Sequence, residues 1–435
     1  MIDRVLFIDP IYVDSYYHGG RNIAPSMGIG YVAEMLELNG IECETVDLAL
    51  GYPVEHALKR IGTFKPQLVA ISLMTLRYKY HYRLIERIKK YSPIDIKIIV
   101  GGPHVTSWKT KVLEQCSAID LGVSLEGEYT VQELCQGKDP ASIPGLIYRD
   151  GGRAIFNGER QLLDDLESIS FPRYRHFELD KYEKIMHFCS SRGCPYRCTF
   201  CQFRNTLGKK WRHRSAESVV DEMEYWYKRD YRRFSFIDDN FTLDKKRVYR
   251  ICDEINKRQI QDIWISAAGV RADRVDRELL ERMRSVGFEN LSFGVEAGNN
   301  RTLKMLKKHE TIEQIDRTIK DATELGFQVK LYFLVGSPYE TLDDIRASID
   351  FALKYPIAAA NFSNIIPMPE TELLEWIEKN GRLLADPADY LNDTNEFDKI
   401  PLFDAPGMSI EERKQALAMT AEASEQILER ARSYS

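Results

Sequence analysis

No stretch of this 435-residue chain approaches the roughly 18–20 consecutive apolar residues that a membrane-spanning helix requires, so no membrane partner is expected. Basic charge is not in surplus either. Sixty Lys and Arg against 66 Asp and Glu leave a net charge of -6, which gives no footprint for nucleic acid. The opening "MIDRVLFIDP" places charges within and around a short apolar run, unlike a secretory leader, and a cytoplasmic protein is expected. Low-complexity segments and short repeats are also lacking. Cysteine is sparse, with eight residues in all. In a reducing compartment these argue against a disulfide framework and for metal or redox chemistry.

What is present is an alternation of short apolar runs with amphipathic stretches. Strands are expected at 4–9, 43–48, 68–73 and 96–102, with helices at 28–40, 53–63 and 78–91. Repeated βαβ units predict a doubly wound parallel sheet that binds ligands beyond the carboxyl ends of its strands. Residues 141–184 read as a hairpin and an irregular linker. A second series follows, with strands near 185–189, 233–238, 262–267, 291–296, 328–335 and 361–366 and helices such as 215–229 and 341–354. About six βα units suggest an incomplete TIM-type barrel. Helices near 371–380 and 409–432 form a cap or tail. The expected fold is therefore α/β, with a Rossmann-like domain at 1–140, a linker at 141–184, a partial barrel at 185–370 and a helical region at 371–435.

The segment "SRGCPYRCTFCQF", residues 191–203, sets Cys194, Cys198 and Cys201 at C-x3-C-x2-C. Three soft thiolates select zinc or an iron–sulfur cluster. A structural zinc wants four protein ligands, and Cys189 or His187 could supply the fourth. A [4Fe–4S] cluster held by three thiolates instead keeps one iron open to a small molecule.

With Phe200 just before its last cysteine, the motif resembles that of the radical S-adenosylmethionine (SAM) enzymes. Three further segments, in order, resemble that family's barrel: "FSFIDDNFT" at 234–242, "LSFGVEAGNNRTLKMLKK" at 291–308 and "LYFLVGSPYET" at 331–341. The resemblance implies that Asp238 and Asp239 lie near the methionyl part of SAM, that Glu296 reaches the nucleoside and that Gly336 flanks the adenine. Arg271 could face SAM's carboxylate. On elementary grounds the two aspartates could equally cap a helix, Glu296 could be structural, and Arg271 could form a surface ion pair.

The first domain is similar to the cobalamin-binding half of one radical SAM subfamily. The matching turns are "APSMGIGYVAEML" at 24–36, "AISLMT" at 70–75, "VGGPHVT" at 100–106 and "SLEGEYT" at 124–130. The similarity makes Pro25, Ser26, Gly28, Gly30, Ser72, Thr75, Leu76, Gly101, Gly102, His104, Glu126, Gly127 and Glu128 candidates for cobalamin. Glycines there would let backbone approach a planar ligand, and the helix start near Ser26 could donate N–H groups to a phosphate. None of the eight histidines has an Asp two residues before it, so D-x-H-x-x-G is missing and cobalt should lack a histidine ligand. Leu76 is the candidate beneath cobalt, with Met74 and Thr75 beside it, and His104 is expected along the nucleotide tail. His18, Tyr12, Tyr16 and Tyr17 would face the corrin's upper side or the substrate, or form an ordinary loop.

Together the resemblances imply a methyltransferase using a [4Fe–4S] cluster, SAM and cobalamin to methylate an unactivated sp3 carbon. A 5′-deoxyadenosyl radical would abstract hydrogen and methylcobalamin would supply the methyl group. The expected substrate is a protein or peptide, with a glutamine of methyl-coenzyme M reductase as the specific suggestion. Small-molecule methylation and a non-methylating cyclase or rearrangement enzyme remain alternatives. A methylthiotransferase would need a second three-cysteine set, and Cys43, Cys116 and Cys135 are too scattered. A monomer served by an external flavodoxin- or ferredoxin-type electron donor is expected.

Overall fold

A computed structural model describes residues 1–10, 24–392 and 397–433. His18, Tyr12, Tyr16 and Tyr17 lie outside the described residues. The chain divides into two compact units, residues 1–185 with 205–207, and residues 186–204 with 208–435.

The first unit carries a seven-stranded sheet. Its strands are β1 (Arg4–Asp9), β2 (Glu42–Asp47), β3 (Leu68–Ser72), β4 (Lys97–Gly101), β5 (Leu121–Val123), β6 (Leu146–Asp150) and β7 (Arg153–Phe156), in the order β2-β1-β3-β4-β5-β6-β7. The first five are parallel, β6 adds antiparallel to β5, and β7 adds antiparallel to β6. Val5, Leu6, Leu68, Val69 and Ile98 are wholly buried, as strands covered on both faces must be. The helices are α1 (Met27–Leu38), α2 (Val54–Phe64), α3 (Tyr78–Tyr91), α4 (Pro103–Trp108), α5 (Thr110–Gln115) and α6 (Glu128–Cys135). Helix α1 buries Ile29, Tyr31, Ala33 and Leu36, and Gly40 leaves it at φ 78, where a side chain would be strained. The segment expected as a linker belongs to this unit. Its hairpin extends the sheet, because β6 supplies the ladder that the edge of β5 would otherwise lack.

The second unit holds six parallel strands: β8 (Ile185–Phe188), β11 (Arg233–Phe236), β12 (Trp264–Val270), β13 (Phe288–Glu296), β14 (Gln328–Val335) and β15 (Ala359–Asn364). The short β9 (Ser191–Arg192) and β10 (Arg212–His213) pair antiparallel beside them. The order β15-β14-β13-β12-β11-β8 follows the chain, as in an open arc of a barrel. Along β13 and β14 one face buries Leu291, Phe293, Val295, Val329, Leu331 and Phe333. Each such side chain contributes on the order of 1.5–3 kcal/mol. The other face carries small and polar groups, including Ser235 and Ser266, whose hydroxyls are 2.7 Å apart across β11 and β12. The C-terminal helix, Ile410–Arg432, is part of the outer layer rather than a detached cap. Its Ala416 joins Val335, Ile345 and Met408 in one buried cluster.

Candidate functional site

The three motif cysteines sit half-buried on the loop after β9, and all are free thiols. The loop is braced from several sides. Gly193 N–H donates to Asp239 Oδ2 (2.8 Å), Cys194 N–H to the Gly208 carbonyl (3.2 Å) and Thr199 N–H to the Leu306 carbonyl (3.1 Å). Asn240 Nδ2 lies 3.9 Å from Cys194 Sγ. Burial pushes the Cys201 thiol up to about 12, with Cys198 and Cys194 adding to the effect, so the three sulfurs feel one another. Such thiols ionise on meeting a metal's positive charge. Among the described residues no three His, Cys, Asp or Glu side chains converge as one small ion demands. A cluster is wider than an ion, and three thiols in one braced loop fit its ligand chemistry. Phe200 is half-buried beside Cys201.

Asp238 is fully engaged within the fold. Its Oδ1 accepts from Ser190 N–H (2.7 Å), and its Oδ2 accepts from the Ser190 and Ser191 hydroxyls (2.6 Å each). It therefore braces the chain leading to the cysteines, which corrects its assignment as a SAM contact or helix cap. Asp239 is half-buried, and burial lifts its carboxyl to about 6. Gly269 explains how this corner closes. At φ +65 it is so near the Asp238 carbonyl that a Cβ would lie 2.2 Å from that oxygen.

Arg271 also departs from expectation. It is neither at the surface nor open to a ligand carboxylate, with 7% exposure. Its Nε donates to Asp273 (2.9 Å), its Nη2 to the Lys308 carbonyl (3.0 Å), and its guanidinium lies 3.6 Å from the Tyr196 ring centroid. Glu296 adopts φ +67 at the end of β13 and accepts from Lys308 Nζ at 3.0 Å. Lys308 is itself buried between Glu296 and Glu310. Gly336, at φ +92, is fixed by two partners. Glu340 Oε2 accepts its N–H at 2.7 Å, and the buried Arg413 donates to its carbonyl.

In the first unit the candidate residues gather at strand ends. Gly102 permits a close approach of backbone to backbone, since a Cβ there would lie 2.7 Å from the Leu73 carbonyl and 3.3 Å from Ser72 Oγ. Next to it Met74 is exposed, Leu76 is half-buried, and Thr75 is buried with its hydroxyl unpartnered. Pro25 is buried, Ser26 half-buried, and Gly28 exposed with open space where a Cβ would stand. Gly101 and Gly127 have no close neighbour to exclude a Cβ, while Glu126 accepts from Leu163 N–H (2.8 Å) and Glu128 is buried in the first turn of α6. This open rim, carrying an orphaned hydroxyl and apolar side chains, fits a large, mostly apolar cofactor.

Two expectations here are corrected. Gly30 serves packing within the unit, because a Cβ there would lie 2.5 Å from the Tyr174 ring. His104 is wholly buried, bonded to Tyr82 Oη at 2.8 Å and stacked on Tyr78 at 4.6 Å, so it lines no ligand surface. Burial depresses its imidazole to about 3. Tyr196, Asn240, Gly269, Lys308, Glu310, Glu340 and Arg413 escaped sequence reasoning. Tyr196, Asn240, Lys308 and Glu340 stood inside segments whose pattern could have singled them out.

Comparison with known proteins follows the same division. The family model described as "Radical SAM superfamily" matches residues 188–352, and "B12 binding domain" matches residues 20–135. An uncharacterized methyltransferase of Pyrococcus horikoshii is 30% identical over 370 residues, covering 83% of this chain and 80% of the relative. An anaerobic magnesium-protoporphyrin IX monomethyl ester cyclase of Rubrivivax gelatinosus is 28% identical over 397 residues, covering 86% and 69%. Among solved structures, the radical S-adenosylmethionine methyltransferase TsrM of Kitasatospora setae, with cobalamin and a [4Fe–4S] cluster bound, superposes over 100% of both chains. Its TM-score is 0.79 at 19% identity, a likeness of fold.

Proposed function

We infer, because the chain belongs to the radical SAM superfamily and is a cobalamin-dependent methyltransferase using a [4Fe–4S] cluster, that it methylates an unactivated sp3 carbon. When bound, the cluster with SAM supplies a hydrogen-abstracting radical and cobalamin supplies the methyl group. The observation that carries this reading is a braced three-thiol loop in a chain that also has an open-rimmed cobalamin domain. Methyl transfer to a ready nucleophile would need no such loop.

The chain's own residues have positional tasks. Cys194, Cys198 and Cys201 would hold the cluster, with Phe200 beside them. Asp239, just after β11, and Glu296, at the end of β13, present carboxylates at strand ends two positions apart in the sheet, and Gly336 offers backbone held by Glu340. In the first unit, Met74, Thr75 and Leu76 would meet the lower face of the corrin without an imidazole. Gly101 and Gly28 would leave room for its edge and tail, while Gly102 lets the strand end close on the Leu73 carbonyl.

We assign the substrate as a protein side chain, with a glutamine of methyl-coenzyme M reductase as the specific candidate, because a side-chain CH2 group is unactivated. A cytoplasmic monomer and an external flavodoxin- or ferredoxin-type reductant complete the reading. The 28% likeness to a cyclase keeps a non-methylating ring closure as the second reading. Incubation of such a glutamine peptide with deuteromethyl-SAM and reductant, followed by mass analysis, separates the two. Label in the peptide supports methylation. Ring-closed product without label, from any substrate tried, supports the alternative.

A further inference from the structure

Charge is not spread evenly along this chain. Residues 184–216 hold eight Lys or Arg and no Asp or Glu, although acidic residues outnumber basic ones over the whole sequence, 66 to 60. The three motif cysteines fall inside that acid-free stretch. Two of its arginines serve the interior: Arg212 and Arg214 are buried, and Arg214 pairs with Glu222. Others stand around the cysteines. Arg197 directly precedes Cys198, and Arg204 lies three positions beyond Cys201. Strand β9 pairs with β10, and Cys194 N–H reaches the Gly208 carbonyl at 3.2 Å, so Lys209 and Lys210 run alongside the first cysteine.

The cysteines are half-buried, whereas Pro195, Arg197, Phe203, Lys209 and Lys210 on the same loop are exposed. Phe203 opens the short helical turn Phe203–Thr206 and is 52% exposed. Among the described residues, Arg197, Arg204 and Lys209 have no carboxylate partner. On the outer helices such cations are matched, as in Arg258 with Asp221 and Arg277 with Glu324. An apolar group rimmed by unmatched charge of one sign has the make-up of a protein interface. Transient redox encounters need only a small one, guided by complementary charge rather than by area.

We propose that the exposed side of the cysteine loop, with Phe203 ringed by Arg197, Arg204 and Lys209, docks a small acidic electron-carrier protein. The proposal rests on the functional reading above, in which an external reductant serves the cluster. Electron transfer weakens steeply with distance, so a carrier has to dock over the ligand loop itself. In the encounter the carrier is oxidised by one electron and the cluster reduced by one, with no bond made or broken.

The test uses an acidic flavodoxin as probe and the anaerobically reconstituted full chain, in the parent, Lys209→Glu, Arg197→Glu and Lys59→Glu. Two readouts are taken: binding of oxidised flavodoxin by surface plasmon resonance, and stopped-flow reduction of the cluster by flavodoxin hydroquinone. Parent binding should weaken as salt is raised. Lys209→Glu and Arg197→Glu should each weaken binding and slow reduction about tenfold at low salt, with the gap closing at high salt. Dithionite, a small reductant that needs no docking, should reduce parent and variants to the same extent. Lys59→Glu makes the same change of net charge on α2 of the first unit and should match the parent. Parent-like binding in Lys209→Glu, or an equal loss in Lys59→Glu, would overturn the proposal. So would weakened SAM binding with flavodoxin binding unchanged, which gives these cations to SAM instead. If Arg197→Glu holds no cluster, Lys209→Glu decides. A parent that takes up iron but does not bind flavodoxin ends this inference alone, and a parent without iron refutes the functional reading with it.

Discussion

At the scale of single residues, seven of the eight cysteines fall into two groups with opposite predicted behaviour. Cys43, Cys116, Cys135 and Cys252 are buried as small apolar groups, and burial holds Cys116 near 11 and Cys252 near 12, too high for reactive thiols. Replacing any of these four with alanine should leave iron and sulfide content at the parent level. Replacing Cys194, Cys198 and Cys201 together should abolish both, measured after anaerobic reconstitution. Stoichiometric zinc in the parent would contradict the assignment. Glu340 makes a prediction through pH. Burial lifts its carboxyl to about 7 from an ordinary 4.5, so the folded chain keeps a proton that the unfolded chain releases. The associated stability is complete below about pH 4.5 and is lost as pH rises through 7, and its full span is about 3 kcal/mol. Glu340→Gln should flatten that part of the curve, read from urea midpoints across the window.

At the scale of elements, the strand ends decide whether the site forms. Gly269→Ala would force a methyl against the Asp238 carbonyl and a side chain into a left-handed backbone. It should cost about 2–4 kcal/mol and reduce cluster loading, because Asp238 holds Ser190 and Ser191 ahead of the cysteines. Parent-like melting and iron content would show that this corner yields without consequence. The elements themselves were largely legible in the sequence. "RVLFID" and "LVAIS" are buried on both faces, and such strands write themselves as unbroken apolar runs. The hairpin of β6 and β7 was legible as a hairpin but not as part of the first sheet, since alternation reveals pairing without naming the neighbouring strand. The cysteine motif was equally plain. The surroundings of Arg271 were not, because Tyr196, Lys308 and Glu310 meet it only after three separate loops fold together. Nor does "GGPH" disclose that its imidazole turns inward to Tyr78 and Tyr82.

For the whole molecule, the proposed radical methylation requires two separate fates for SAM in each turnover. One molecule should end as 5′-deoxyadenosine and methionine, the other as S-adenosylhomocysteine. With the true substrate present, both by-products and methylated product should accumulate in near-equal amounts, followed by chromatography. S-adenosylhomocysteine missing while 5′-deoxyadenosine forms would indicate a reaction without net methylation. Among the described residues no helix is long and apolar enough to cross a membrane. The grip of Arg413 on the Gly336 carbonyl has a consequence in time as well as space. Residue 413 leaves the ribosome well after residue 336, so the strand-end loop waits, half-built, for a helix not yet translated. Cluster and SAM then meet a finished loop only once that helix has been made, and delivery of iron and sulfide has to follow it.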